Sequence, residues 1–161
     1  MSAFILRAIS NYPDVNFIST EQAAELLNNP ERDILLVDAR SEAEFEVSHI
    51  EGAIRIDSHI GLEDLRQILS RHYISSDTTI MIYCALSPRA AGLARKMSVV
   101  VNDPEYTGKP EIVVIAGSIF KWANEGRPLV DSNNNPTYLV HPVSAGTSQY
   151  LEPYNRKYDF M

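Results

Sequence analysis

The chain has 161 residues, of which 21 are acidic and 14 basic, for a formal charge of −7. That length suits one ordinary domain able to bury a core without disulfide or metal staples. A content of 45% hydrophobic and 22% charged residues excludes disordered, collagenous and coiled-coil chains. The acidic balance repels phosphate backbones and anionic lipid at long range, so neither nucleic acid nor a membrane surface is expected as a partner.

Residues 1–15 read as an N-terminal extension, in which Phe4-Ile5-Leu6 is too short for a signal-peptide core. Phe17-Ile18 reads as a first strand. Ser19 followed by Gln22 has the pattern of a capping box for a helix carrying Ala23, Ala24, Leu26 and Leu27, which Asn28-Asn29-Pro30 stops. Ile34 to Val37 is a continuous apolar run ending in Asp38, the pattern of a buried parallel strand with polar function at its carboxyl end. Ala53 to Ile56 and Thr79 to Tyr83 repeat it, and between them Leu62, Leu65, Ile68 and Leu69 share one face of a helix running to about His72. The turn formers from Asn102 to Pro110 predict a surface loop before a strand over Ile112 to Ile115. Strands alternating with helices predict a mainly parallel α/β sheet covered on both faces, in a domain over 16–131. Apolar runs such as Ile112 to Ala116 are far shorter than a membrane span, and the expected compartment is the cytoplasm.

Past Asp131-Ser132-Asn133-Asn134-Asn135-Pro136 the periodicity fades. The tail, 132–161, holds four of the eight tyrosines, Tyr138, Tyr150, Tyr154 and Tyr158. So aromatic a segment is expected to dock on the domain or on a partner chain, a homodimer through the tail being one such arrangement.

The single cysteine, Cys84, can form no internal disulfide and cannot by itself make a thiolate metal site. It follows the apolar run Ile80 to Tyr83 and precedes a helix opened by Ser87 as N-cap with Pro88 in the first position. Free cysteine at a strand end is commonly plain packing. Here, however, the sulfur stands at a helix N-terminus, and Arg89 adds a positive charge, a setting that favours the thiolate and makes a nucleophile.

Leu35 to Arg40, Glu44-Phe45 and His49 to Ile54 together resemble the first signature of rhodanese-like domains. Tyr83-Cys84 through Arg89 resembles the active-site loop of that family. Val114 to Ser118, with Trp122 and Arg127-Pro128-Leu129-Val130, resembles its closing signature. The resemblance spans about Phe17 to Val130 and implies a five-stranded, mainly parallel sheet with helices on both faces. It also implies a sulfurtransferase in which Cys84 attacks the sulfane sulfur of thiosulfate or a persulfide and carries it as a cysteine persulfide to a thiol, a protein acceptor or cyanide. Carried over by position, the backbone amides of Ala85, Leu86, Ser87, Arg89 and Ala90 hold the thiolate charge. The Arg89 side chain then helps bind a small anionic donor.

Arg89 stands five residues after Cys84, the rhodanese spacing. The related phosphatase and arsenate reductase branch has one more residue, and position 90 is alanine, which makes that chemistry the weaker alternative. A second alternative is a non-catalytic binding or redox-sensing module. Many family members have a glycine inside the loop, whereas here the interior is Ala85-Leu86-Ser87-Pro88. Ser48 stands where glycine usually precedes the histidine, and Ser118 replaces the second glycine of the closing signature. Asp38 and Arg40 are expected to brace loops near the site. His49, His59, His72 and His141 lack the spacing of a helix-borne metal pair, so no metal is expected, and the sulfurtransferase that the resemblance implies needs no organic cofactor. His49 is expected to be a structural hydrogen-bonding residue, and Ile119, Phe120 and Trp122 to pack a helix on the sheet.

Overall fold

The computed structural model describes residues 1–158, so the last three residues of the tail predicted over 132–161 lie outside the described residues. In chain order the elements are α1 (Ser2–Asn11), β1 (Asn16–Ile18), α2 (Thr20–Leu27), β2 (Asp33–Asp38) and α3 (Glu42–Val47). Then come β3 (Ile54–Arg55), α4 (Leu62–Ser70), β4 (Thr78–Tyr83), α5 (Pro88–Val101), β5 (Glu111–Ile115) and α6 (Ser118–Asn124). The short elements β6 (Leu129–Val130), β7 (Pro136–Thr137) and α7 (Ala145–Ser148) and a 3-10 turn (Pro153–Asn155) complete the described chain.

The main sheet has strand order β1-β5-β4-β2-β3, and all four pairings are parallel. Every residue of β4 is buried, because it lies at the centre with helices on both faces, which is why its sequence is apolar without alternation. Its side chains nevertheless divide by pleat. Ile80 and Ile82 join Val37, Leu65, Leu69, Leu93 and Met97 under α4 and α5. Met81 and Tyr83 join Ala23, Ile119, Phe120 and Trp122 under α2 and α6. The expected parallel α/β sheet with helices on both faces is therefore what the chain forms.

Local rules explain the boundaries. Ser19 and Gln22 close the capping box that starts α2, and Ser41 with Glu44 closes a second one at α3. The register Val37↔Ile82 and Asp38↔Tyr83 brings the carboxyl ends of β2 and β4 level. The residues that follow those strands, 39–50 and 84–89, therefore meet above the same edge of the sheet, where open parallel sheets place their functional residues.

The tail packs onto the domain, and of its four tyrosines Tyr150 takes part, packing on the same apolar cluster and against Phe4. Val140 and Leu151 are the buried anchors, within the same apolar cluster as Trp122 and Phe120, while Tyr138, Tyr154 and Tyr158 stay exposed. Aliphatic side chains carry no hydroxyl to satisfy, which suits them to the closed side of the contact. Among the described residues, no helix is long and apolar enough to cross a membrane.

Candidate active site

β4 ends at Tyr83 and delivers Cys84 into the loop that leads to α5. The loop is stitched to the turn between β5 and α6 by four hydrogen bonds. Cys84 N–H donates to Ser118 Oγ at 3.2 Å, and Gly117 N–H donates to Ser87 Oγ at 2.9 Å. Ile119 N–H donates to the Cys84 carbonyl at 3.0 Å and Phe120 N–H to that of Ala85 at 3.1 Å. Ser118 Oγ also donates to the Ile115 carbonyl at 2.9 Å and stands 4.0 Å from Cys84 Sγ. The closing segment of the sequence is thus the floor on which the cysteine loop rests.

Of the amides expected to face the sulfur, those of Ala85, Leu86, Ser87, Arg89 and Ala90, the one of Ser87 donates to Cys84 Sγ, at 3.1 Å. Ser87 occupies the N-cap position of α5 with Pro88 next, as expected, but its hydroxyl caps nothing in the helix because it accepts from Gly117 instead. Cys84, Ala85, Leu86, Ser87 and Ala90 are all buried.

Arg89 does not stand free. Its Nη1 and Nη2 donate to Glu44 Oε1 and Oε2, each at 2.8 Å, a bidentate pair between the first turn of α5 and the first turn of α3. The arginine side chain is 31% exposed and the glutamate 6%, so the pair closes the site from the side while leaving an edge of the guanidinium in water. Burial pushes the Glu44 carboxyl up, but the bonds and charge of Arg89, with Arg40 behind it, hold it below the ordinary carboxylate range. Glu44 in turn raises Arg89. Glu44 entered the sequence reading only as part of a motif. The Ser41-x-x-Glu44 spacing would have placed it at a helix start, but nothing local joins it to a residue 45 positions away.

Comparison with known proteins agrees with this geometry. The profile of the rhodanese-like domain matches residues 19–125. The chain belongs to the rhodanese-like domain family. A tRNA uridine(34) hydroxylase of Photorhabdus laumondii is 28% identical over 111 residues, covering 69% of this chain and 29% of that protein. The sulfur carrier protein TtuD of Thermus thermophilus is 29% identical over 129 residues, covering 73% of this chain and 42% of that protein. The chain therefore spans less than half the length of these relatives. A solved thiosulfate sulfurtransferase from Pseudomonas aeruginosa shares the fold, with a TM-score of 0.58 at 16% identity over 92% of this chain and 25% of that one.

In this rhodanese-like domain, Asp38 and Arg40 form a fully buried pair behind the loop. Arg40 Nε and Nη2 donate to the Asp38 carboxylate at 3.0 and 2.7 Å, and Nη2 donates to the Ser48 carbonyl at 2.6 Å. Burial lowers Arg40, but the Asp38 charge and hydrogen bonds outweigh it, so the guanidinium is raised overall. The same surroundings push the Tyr83 phenol well up, first by burial and then by the Asp38 charge, while its oxygen accepts from Ile50 N–H at 3.0 Å. His49 Nδ1 lies 3.0 Å from the Phe45 carbonyl, which can only accept, so that nitrogen carries the proton. Its ring stacks on Phe45 at 3.8 Å. His141 lies in the tail, accepting from Val143 N–H. Among the described residues, no three His, Cys, Asp or Glu side chains gather as a metal site.

Proposed function

We propose that this rhodanese-like domain is a sulfurtransferase that moves sulfane sulfur from thiosulfate or a persulfide donor to a thiol, a protein acceptor or cyanide through a persulfide on Cys84. The observation that carries the reading is the Ser87 amide aimed at Cys84 Sγ at the head of α5, since a donor fixed at the sulfur stabilises a thiolate before any substrate arrives. The Cys84 thiolate attacks the outer sulfur of thiosulfate, the S–S bond breaks, and sulfite leaves with the bonding pair. An acceptor thiolate or cyanide then attacks the terminal sulfur and releases the Cys84 thiolate, so no net oxidant or reductant is consumed. Arg89 contributes through the guanidinium N–H groups that Glu44 leaves unused. With its charge balanced, it meets a small anionic donor by hydrogen bonding more than by net field. The name of one relative, a sulfur carrier protein, favours sulfur chemistry over phosphate chemistry.

Mass spectrometry after incubation with thiosulfate tests the reading. Wild type should gain one sulfur atom that cyanide removes, and Cys84→Ser should not. Full transfer by the serine variant, or Cys84-dependent aryl phosphate hydrolysis exceeding transfer, would overturn it. The burial of Ala85 and Leu86 favours a second reading, a binding or redox-sensing module. Its signature is oxidation or persulfide formation at Cys84 without delivery to cyanide.

A further inference from the structure

Ser87 has φ 137° and ψ −37°, a region that side-chain-bearing residues rarely adopt and that glycine enters freely. It is nevertheless a serine and fully buried. The following proline should push it towards extended backbone, so something outside the local chain must hold it. That anchor is on the neighbouring turn, where Gly117 N–H donates to Ser87 Oγ at 2.9 Å. That position requires glycine, since Gly117 sits at φ 80° with the Lys121 side chain 2.7 Å from where a Cβ would stand. On the other side of the same residue, Ser87 N–H donates to Cys84 Sγ at 3.1 Å. Pro88 has no N–H to replace it.

Resting on the reading of Cys84 as nucleophile, we propose that Ser87 is a positioning residue. Its hydroxyl, fastened to the backbone of Gly117, holds the loop in the strained conformation that aims its own amide at the sulfur. Two roles are combined in one residue. The side chain supplies the tether that glycine could not, and the main chain supplies the hydrogen bond that stabilises the thiolate.

The test is the iodoacetamide alkylation rate of Cys84 against pH in wild type, Ser87→Ala and Ser87→Gly, a clean readout because the chain has one cysteine. Ser87→Ala keeps the strain and loses the tether. Ser87→Gly loses both, so its folding is not endangered. Both variants should alkylate about tenfold more slowly at neutral pH, the effect of losing one hydrogen bond to a charged group. At high pH, where every thiol is ionised, neither variant should be slower than wild type, since a less stabilised thiolate is the stronger nucleophile. A Ser87→Gly protein with the wild-type rate and pH profile would overturn the proposal. Uniform slowing at every pH would also overturn it, since that marks lost access and not lost thiolate. Persulfide loading of wild type is read separately by mass, so failure of the sulfurtransferase reading would be visible independently of the alkylation result.

Discussion

Replacing Asp38 by Asn tests whether the buried pair behind the loop is a brace. Both side chains are wholly out of water. The carboxylate accepts from Arg40 Nε and Nη2 and from the Arg40 amide, and Arg40 Nη1 already lacks a partner among the described residues. Removing one charge leaves the other buried and uncompensated, which costs about 3–5 kcal/mol. Asparagine keeps one acceptor oxygen, so the lower end, about 3 kcal/mol, applies. With a urea slope of about 2 kcal/mol per molar, the unfolding midpoint should fall by about 1.5 M, a large part of a total stability of about 5–15 kcal/mol. Equilibrium urea unfolding followed by circular dichroism measures it. The double variant Asp38→Leu with Arg40→Met should recover only part of the loss, because it removes the unpaired charge but leaves the Arg40 amide and the Ser48 carbonyl without those partners. Without urea, the folded Asp38→Asn protein should keep its Cys84 alkylation rate. A midpoint shift under about 0.3 M would refute the energetic argument, and a collapse of alkylation in the folded variant would mean that Asp38 serves the sulfur directly.

Glu44 titrates below the ordinary carboxylate range in the folded chain. Its contribution is therefore fully present above about pH 4.3 and is lost as pH falls through the lower folded value. Glu44→Gln should be less stable than wild type at neutral pH, and the two should converge in acid. A gap that stays constant down to pH 3 would show that the glutamate acts by shape alone. Leu151→Ala should cost about 2–4 kcal/mol, since the side chain is fully buried, whereas Tyr154→Ala should stay within about 0.5 kcal/mol at an exposed site. Thermal melts of both would reverse the account of the tail if the tyrosine were the costlier loss.

The parts of the fold written in short-range rules were legible in the sequence. β2 and β4 announced themselves as unbroken apolar runs, and Ser19 with Gln22 marked the start of α2. The cysteine loop could be placed because Pro88 allows a helix to begin only there. What escaped needed partners distant in the chain. α1 went unread because Phe4 and Ile5 gain meaning only against Tyr150 and Gly117. Ser87 looked like a helix cap because a local rule fits it, yet its hydroxyl was claimed by an amide 30 positions away. Arg89 read as a free cation for the same reason, since charge neutralisation by Glu44 is a tertiary event. The tail was recognised as a docking segment, but of its tyrosines only Tyr150 packs on the domain, and Val140 and Leu151 are the buried anchors.

Glu44 also accepts from the Ser41 backbone N–H at 3.4 Å, so one carboxylate both starts α3 and holds Arg89. Modularity is thereby denied to the cysteine loop. Grafting residues 84–89 onto another parallel sheet would carry the sulfur and the arginine but leave behind the counter-charge, the helix that presents it and the serine that orients it. A working transplant must therefore include the stretch from Asp38 to Ile50 and the turn from Ile115 to Phe120 as well. A chain shuffled by recombination should tolerate crossovers before Asp38 or after Phe120 far better than any crossover between them.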